Sequence, residues 1–402
     1  MNAVGIDAGK KNSVVAIFRP HGEVVRKPFK VQHTKSDIND LIQTVRSLDG
    51  DTKVVMEHTG HYNEILAHAF HEAGIFVCVV NPKLIKDYGD GETLHTIKTD
   101  KADAKKIANY TLDKWHVLKE YTSMDEQREK LKAMNRQMAF YINQRSAQKN
   151  NLISIIDKTY PGANELFSSP SRPDGHQKWV DFVGTYWHVD CVRTKTLNEF
   201  IDHYSKWCQR KGYNFSRCKA EEIYLASKEL VPVYSKDDQA KYLVTQAVTA
   251  VNDISVAVES LRIHMDELAS TMPEYAAVME MDGVGRTLGP QLIAEIGDVT
   301  RFHNKKALIA FAGLDPGANQ SSDYESKHNR TSKKGSPYLR KTLFLVVESI
   351  IKRQDQDSKV FQFIEKKRRE GKPYYVCTTA GATKFLKQYY GKVNSYLESL
   401  QS

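Results

Sequence analysis

Two periods of apolar and polar residues divide the chain. AVGIDAG is small and apolar, SVVAIF follows a short turn, and VVRKPFKV follows the turn PHGE, so three consecutive strands are predicted. SDINDLIQTVRSL opens on Ser and Asp and places Ile38, Leu41, Ile42 and Val45 at helical spacing. KVVME reads as a short buried strand and YNEILAHAFHEAG as a helix closed by glycine. IFVCVV is another buried strand, stopped at Asn81-Pro82. KTDKADAKKIANY then turns helical, with Thr99 or Asp100 suited to cap its start. Strands alternating with helices after a meander predict a mixed α/β sheet domain over residues 1–122.

From about residue 125 the spacing is helical. Leu131, Met134, Met138 and Tyr141 keep it, and Leu152 and Ile155 return to the same register. Between residues 244 and 268, Val244, Ala247, Val251, Ile254, Val258, Leu261, Met265 and Leu268 hold unbroken a/d spacing. Valine dominates a, and Ile or Leu fills the later d positions, which suits a coiled coil; an ordinary core helix is the other reading. Residues 123–272 are therefore predicted as coiled-coil helices with an inserted, Trp/Tyr/Cys-rich segment at about 160–232 that opens on the loop SSPSRPDG. After Pro273, MEMDGVGRTLGPQLIAEIG predicts a short helix, a GxG turn and a second helix, and FHNKKALIAFAGL another helix. Residues 273–402 are expected to form a mostly α-helical C-terminal domain. No repeat of fixed period is present, and no run approaches the roughly 18 apolar residues of a membrane helix.

Composition narrows the classes. A chain of 402 residues, 41% apolar and 27% charged, is ordinary for a soluble protein with roughly two to four domains. The five cysteines are scattered, odd in number and never spaced CxxC, which argues against a disulfide framework and a zinc knuckle and for a reducing cytoplasm. Met1 leads almost directly into AVGIDAG, without the pattern of a signal peptide. The net charge of +9 points weakly to nucleic acid. Its placement says more: Lys327, Arg330, Lys333, Lys334, Arg340 and Lys341 fall between Ser326 and Thr342 with no acid among them, and KKRR follows at residues 366–369. A solvated charged face is the plain alternative.

Four acids carry the candidate chemistry. Asp7 lies in a strand whose other residues are small or apolar, where a carboxylate is costly unless paired or metal-bound. Glu57 closes KVVME just before the polar turn HTGHY, whose His58 and His61 are read as rim residues. Asp100 and Asp103 stand at i and i+3 and so share one helix face. Strand-end caps and a lysine-balanced helix face, through Lys98, Lys101, Lys105 and Lys106, remain the structural explanations. As a set, the four acids can converge at one sheet edge, and four oxygen donors suit Mg²⁺ or Mn²⁺. Two such ions clamp the attacking and leaving oxygens of a phosphoryl transfer.

GIDAGKKNSVVAIF, MEHTGHY, NPKLIKDY and KTDKADAKKIANY, in that order, resemble the DEDD transposases of bacterial insertion sequences. MDGVGRTLGPQLIAEIGD, FAGLDPGANQSS and SKKGSPYLRKTL resemble the second domain of the same family. The resemblance spans roughly residues 1–155 and 275–350. It implies an RNase H-like (RuvC-like) N-terminal domain whose metal-binding tetrad is Asp7, Glu57, Asp100 and Asp103. It also implies a serine nucleophile after AGLDP. Ser321 matches that serine, and Ser322 replaces the family's usual glycine. The implied partners are element-end and target DNA and a non-coding bridge RNA as guide. Recombination needs several active sites at once, so a homo-oligomer built through the coiled coil is expected.

DNA holding has its own candidates. GVGRTLG, with Gly283, Gly285 and Arg286, opens a helix whose backbone N–H groups suit a phosphate, as in helix-hairpin-helix motifs; a plain interhelical turn is the alternative. Three other functions compete with a serine recombinase. One is a metal-dependent nuclease or junction resolvase that uses water. Another is an actin-like ATPase or sugar kinase, which also begins with a GIDxG-like strand. The last is a non-catalytic scaffold.

Overall fold

The computed structural model describes residues 1–402 apart from 59, 61, 91–98, 122–124, 317–319, 322, 323, 326–329 and 402; for 90, 320, 321, 324, 325 and 401 it describes the backbone alone. His61, Ser322 and Lys327 thus lie outside the described residues. The chain divides into two compact units, Met1–Met124 and Asp125–Ser402.

The first unit is a five-stranded mixed sheet of β1 (Asn2–Ala8), β2 (Asn12–Phe18), β3 (Val24–Gln32), β4 (Thr52–Glu57) and β5 (Val77–Val80). Its order is β3-β2-β1-β4-β5, with β1–β3 an antiparallel meander and β4 and β5 joined parallel to β1. Helices α1 (Lys35–Arg46), α2 (Glu64–Glu72), α3 (Pro82–Asp90) and α4 (Asp100–Asp113) cover it. Alternation along β1 assigns the faces. Val4 and Ile6 pack with Leu41, Leu66 and Phe70 of α1 and α2. On the other face Val14, Ala16 and Phe18 of β2 pack with Ala104 and Ala108 of α4.

Small residues let α4 come unusually close. A Cβ on Gly5 would lie 2.3 Å from the Ala108 nitrogen and 2.4 Å from the Ala104 carbonyl oxygen. Both are backbone atoms of α4, so the contact leaves no room for a side chain. Thr99 caps the helix, its hydroxyl accepting from the Ala102 N–H at 3.2 Å. The first turn of α4, with Asp100 and Asp103, is thereby placed beyond Gly5 toward the end of β1.

Among the described residues, the second unit is helical apart from one small ribbon. Long helices α5 (Glu126–Ile156) and α10 (Asp238–Ser270) frame it; between them run α6 (Lys178–Thr185), α7 (Asp190–Arg193), α8 (Leu197–Lys211) and α9 (Arg217–Glu229). There follow α11 (Tyr275–Met279), α12 (Leu288–Ile296), α13 (Lys305–Phe311), the ribbon β6 (Gln320–Ser321) with β7 (Tyr324–Glu325), α14 (Pro337–Arg353), α15 (Lys359–Arg369) and α16 (Tyr374–Gln401).

The heptad seam of α10 is used inside the chain. Val258, Met265 and Ala269 share a core with Leu131 and Met138 near the start of α5, while Val244, Ala247 and Val251 share another with Leu152 and Ile156 near its end. The two helices are therefore antiparallel, and none of the eight a/d residues is exposed. The pattern that suggested a coiled coil is satisfied by α5, and the seam by itself calls for no second copy.

The segment at 160–232 caps the far end of that pair with an aromatic core in which Phe200, Tyr204, Trp207 and Tyr213 stack in succession. Buried Asp181 organises it, accepting from the Tyr213 hydroxyl at 2.7 Å and the Asn252 amide at 3.0 Å, with His176 Nδ1 also at 3.0 Å. Burial pushes the Asp181 carboxyl up, but the hydrogen bonds from Tyr213 and His176 outweigh it and hold the group below the usual range.

Two glycines give opposite expectations. Gly5→Ala forces α4 off β1 and should destabilise the chain by about 1–3 kcal/mol. Gly391→Ala, inside α16 with nothing within 4 Å of the added Cβ, should stabilise it by roughly 1 kcal/mol. Thermal unfolding of the full chain measures both; a Gly5→Ala protein that melts at or above the wild-type temperature contradicts the close approach.

Candidate active site and nucleic-acid interface

Asp7 follows Ile6 on β1, and Glu57 follows Met56 on β4. Ile6 and Met56 are paired in the parallel register, so the two acids stand side by side where these strands end. Ile6 and Met56 point into the α1/α2 core. Asp7 and Glu57, one residue further, stand on the α4 face. There they meet the first turn of α4, where Asp100 and Asp103 are also favoured by the helix dipole. The carboxyl ends of parallel strands are where open α/β sheets bind ligands.

The electrostatics report the convergence. Burial, then the charges of Asp103, Asp100 and Glu57, raise the Asp7 carboxyl to about 6. Glu57 is raised by burial and by Asp103, with Lys106 opposing. Lys106 is the counter-charge at hand: its Nζ is 3.4 Å from Asp103 Oδ1, both side chains half-buried. Its stem crosses Gly89 of α3, where a Cβ would come within 2.6 Å of Lys106 Cε. Among the described residues Lys106 is the lysine paired with these acids, reaching Asp103 and Glu57, and four acids are a donor set that suits a divalent cation. Among the described residues, however, no three acidic, His or Cys side chains stand close enough to form a ready-made metal cluster. The four acids share one end of the sheet and one electrostatic environment, without being drawn to a common point.

The serine region lies in the second unit. Ser321 of β6 pairs with Tyr324 of β7. The base of this loop is pinned: Pro316 bridges Thr331, and Asp315 accepts from the Ser332 N–H at 2.8 Å and from the Ser332 hydroxyl at 2.5 Å. Gly335 lies so close to the preceding turn that a Cβ would sit 2.1 Å from the Phe311 carbonyl oxygen. Ser336 caps α14, and its hydroxyl donates to buried Glu295 of α12 at 3.2 Å.

The basic residues divide by role. Arg330, Lys333, Lys334 and Lys341 are exposed and form no ion pair among the described residues. Arg340 turns inward, its Nη1 donating to the Ala312 carbonyl at 2.9 Å and to that of Gly335 at 3.4 Å. Lys333 takes φ +52°, in the left-handed region. In GVGRTLG, Gly283 takes φ +73° and lies against α14, where a Cβ would meet Ile350 at 2.5 Å; Gly285 is open. Arg286 is 80% exposed, with Asp266 at 3.9 Å.

Two residues escaped the sequence reading. Lys106 was weighed only as one of four interchangeable lysines. Glu295 is 1% exposed in the apolar run QLIAEI, where it also accepts from the Asn135 amide at 3.0 Å. A carboxylate in an apolar run was the signal used for Asp7, and it applied equally to Glu295.

Comparison with known proteins then places the chain. Residues 4–161 match a family model described as a transposase, and residues 275–362 match the transposase family IS116/IS110/IS902. The chain belongs to the IS110 family of transposases, enzymes that act on DNA. Over 343 residues it is 24% identical to the pilin gene-inverting protein of Moraxella lacunata, a match covering 85% of this chain and 80% of that protein. Structures of RuvC from Thermus thermophilus, alone and with a Holliday junction substrate, are also similar to the chain. Each is 15% identical and covers 30% of this chain, with TM-scores of 0.25 and 0.24 over 100% and 99% of those chains. The ATPase or sugar-kinase reading and the scaffold reading give way to the family. No helix among the described residues is long and apolar enough to cross a membrane.

The crowding of Asp7 has a measurable consequence. The folded chain holds the Asp7 proton up to about pH 6, whereas an unfolded chain releases it near pH 4. Ionising Asp7 therefore costs folding free energy as pH rises through that window, and the cost persists above it. Asp7→Asn should melt increasingly above wild type from about pH 4 to about pH 6 in chelator, and stay above it at pH 7. A difference that is flat with pH contradicts the crowded site.

Proposed function

We propose that this chain is a DNA recombinase in which Ser321 attacks a DNA phosphodiester, and that Asp7, Glu57, Asp100 and Asp103 hold Mg²⁺ or Mn²⁺. The observation that carries the reading is that Asp7 and Glu57 end two paired parallel strands beside the first turn of α4, with the Asp7 carboxyl raised by burial and then by the three other acids. Natural sequences keep such a repulsive cluster where it serves a function. Bound there, the divalent metal would neutralise the charge that builds on the phosphate during transfer. Asp7 and Glu57 supply ligands from the sheet, Asp100 and Asp103 from the helix, and Lys106 restrains Asp103.

Ser321 supplies the nucleophilic oxygen. As its Oγ bonds to phosphorus, one strand P–O bond breaks, and the serine proton ends on the departing strand hydroxyl. Attack by a second strand's hydroxyl on the phosphoserine reverses these steps and reseals DNA. One phosphodiester replaces another, so no nucleotide hydrolysis is needed. A serine hydroxyl requires activation before it attacks a phosphodiester. The exposed Arg330, Lys333, Lys334 and Lys341, with Gly283, Gly285 and Arg286, are assigned to the phosphate backbone, which makes binding steeply salt-dependent. Lys327 and, as a substitute nucleophile, Ser322 complete the assignment. The reading includes a cytoplasmic setting, a non-coding bridge RNA that selects the DNA, and a homo-oligomer that brings several active sites together.

Mixing element-end DNA, the bridge RNA and Mg²⁺ with the full chain should give a denaturation-resistant protein–DNA adduct. Ser321→Ala should abolish it, and Asp100→Ala should lower it at least ~1,000-fold. An adduct that survives Ser321→Ala but not Ser322→Ala moves the nucleophile by one residue. Cleavage without any adduct, unaffected by either serine substitution, establishes a water-using nuclease instead.

A further inference from the structure

A second basic feature uses none of the basic residues assigned above. Helices α13, α15 and α16 enclose a cleft of about 600 Å³. Lys305 and Lys306 line one side and Lys384 and Lys387 another, while Leu314 and Phe363 are part of an apolar floor. None of the four lysines forms an ion pair among the described residues. The one acid at the rim, Asp315, is engaged by Ser332. Lys384 Nζ lies 5.9 Å from the centre of the Phe363 ring, so that cation and aromatic surface face the same space.

We propose that this cleft binds one unpaired nucleotide of a DNA strand, its base against Phe363 and its flanking phosphates on the lysines. The volume is of small-ligand size, too confined for a duplex. An apolar floor with an aromatic ring inside a lysine rim is the chemistry that grips single strands, through base stacking and phosphate charge together. Lysines alone would serve any anion; the ring and apolar floor select a base. Position favours DNA: Asp315 and Pro316 leave the cleft for β6, and Ser321 lies five residues after Pro316. The inference rests on the family's action on DNA but not on the serine or the metal.

The test therefore uses the full-length Ser321→Ala chain in chelator, where neither nucleophile nor metal contributes. Fluorescence anisotropy with a labelled oligothymidylate should show roughly tenfold weaker binding for Phe363→Leu and for the double variant Lys384→Ala/Lys387→Ala. Binding of a blunt duplex should change less than about twofold, since duplex contacts lie elsewhere. The lysine variants alter only surface and rim charge, so they remain informative if Phe363→Leu misfolds. Light-induced crosslinking of an oligonucleotide carrying 5-iododeoxyuridine should map to Phe363. An unchanged oligothymidylate affinity, or an equal loss on the duplex, overturns the proposal. So does a Phe363-dependent preference for oligouridylate over oligothymidylate, which would assign the cleft to RNA.

Discussion

The candidate active site depends on the contact between β1 and α4, where no side chain separates the two backbones. Gly5 places a Cα where a Cβ would meet the Ala108 nitrogen and the Ala104 carbonyl, and Ala104 and Ala108 return the favour with small side chains. Once α4 is seated this closely, its first turn has one place to go, beside the ends of β1 and β4. The parallel register then brings Asp7 and Glu57 to the same face. Asp7, Glu57 and the Asp100/Asp103 turn come to one end of the sheet because a strip of small residues permits it, and not because they attract one another.

They repel, and the fold bears the cost. Burial and like charge both push Asp7 toward its neutral form. Lys106 relieves Asp103 and Glu57 only in part, held as it is across Gly89. The opposite arrangement occurs at Asp181, more deeply buried in the second unit, where Tyr213, Asn252 and His176 satisfy the carboxylate and its pKa falls. A buried and a half-buried acid in one chain thus show the contrast between a structural carboxylate and one kept under strain. That contrast, more than the presence of an acid, sets Asp7 apart from a carboxylate that only serves the fold.

Much of the first unit was legible because its signals are local. Strands β1 to β5 and helices α1, α2 and α4 each carry their own period, capping residue or glycine stop, and Thr99 caps α4 as its side chain suggests. Helix α3 was not anticipated, since Pro82 and Gly89 mask its short pattern. What sequence cannot supply is partner choice. The a/d stripe of α10 announces that it will be covered, but not that α5 of the same chain covers it in antiparallel fashion. Arg340 and Lys341 are adjacent and equally basic on paper. One turns inward to bind the carbonyls of Ala312 and Gly335, while the other faces solvent.

The same division of labour runs through the C-terminal region. Glu295, Ser336, Arg340, Gly335 and the Asp315–Ser332 pair fix the base from which β6 and β7 project. Arg330, Lys333, Lys334 and Lys341, around that base, are left without ion-pair partners among the described residues. Free lysines on a yielding loop would be ordered by nucleic acid only at an entropic cost. Lysines on a base held by buried hydrogen bonds are positioned before binding, and less of the binding energy is lost to ordering them. The pinned base beneath β6 and β7 thus does in the second unit what the Gly5 contact does in the first, fixing the backbone before any ligand arrives.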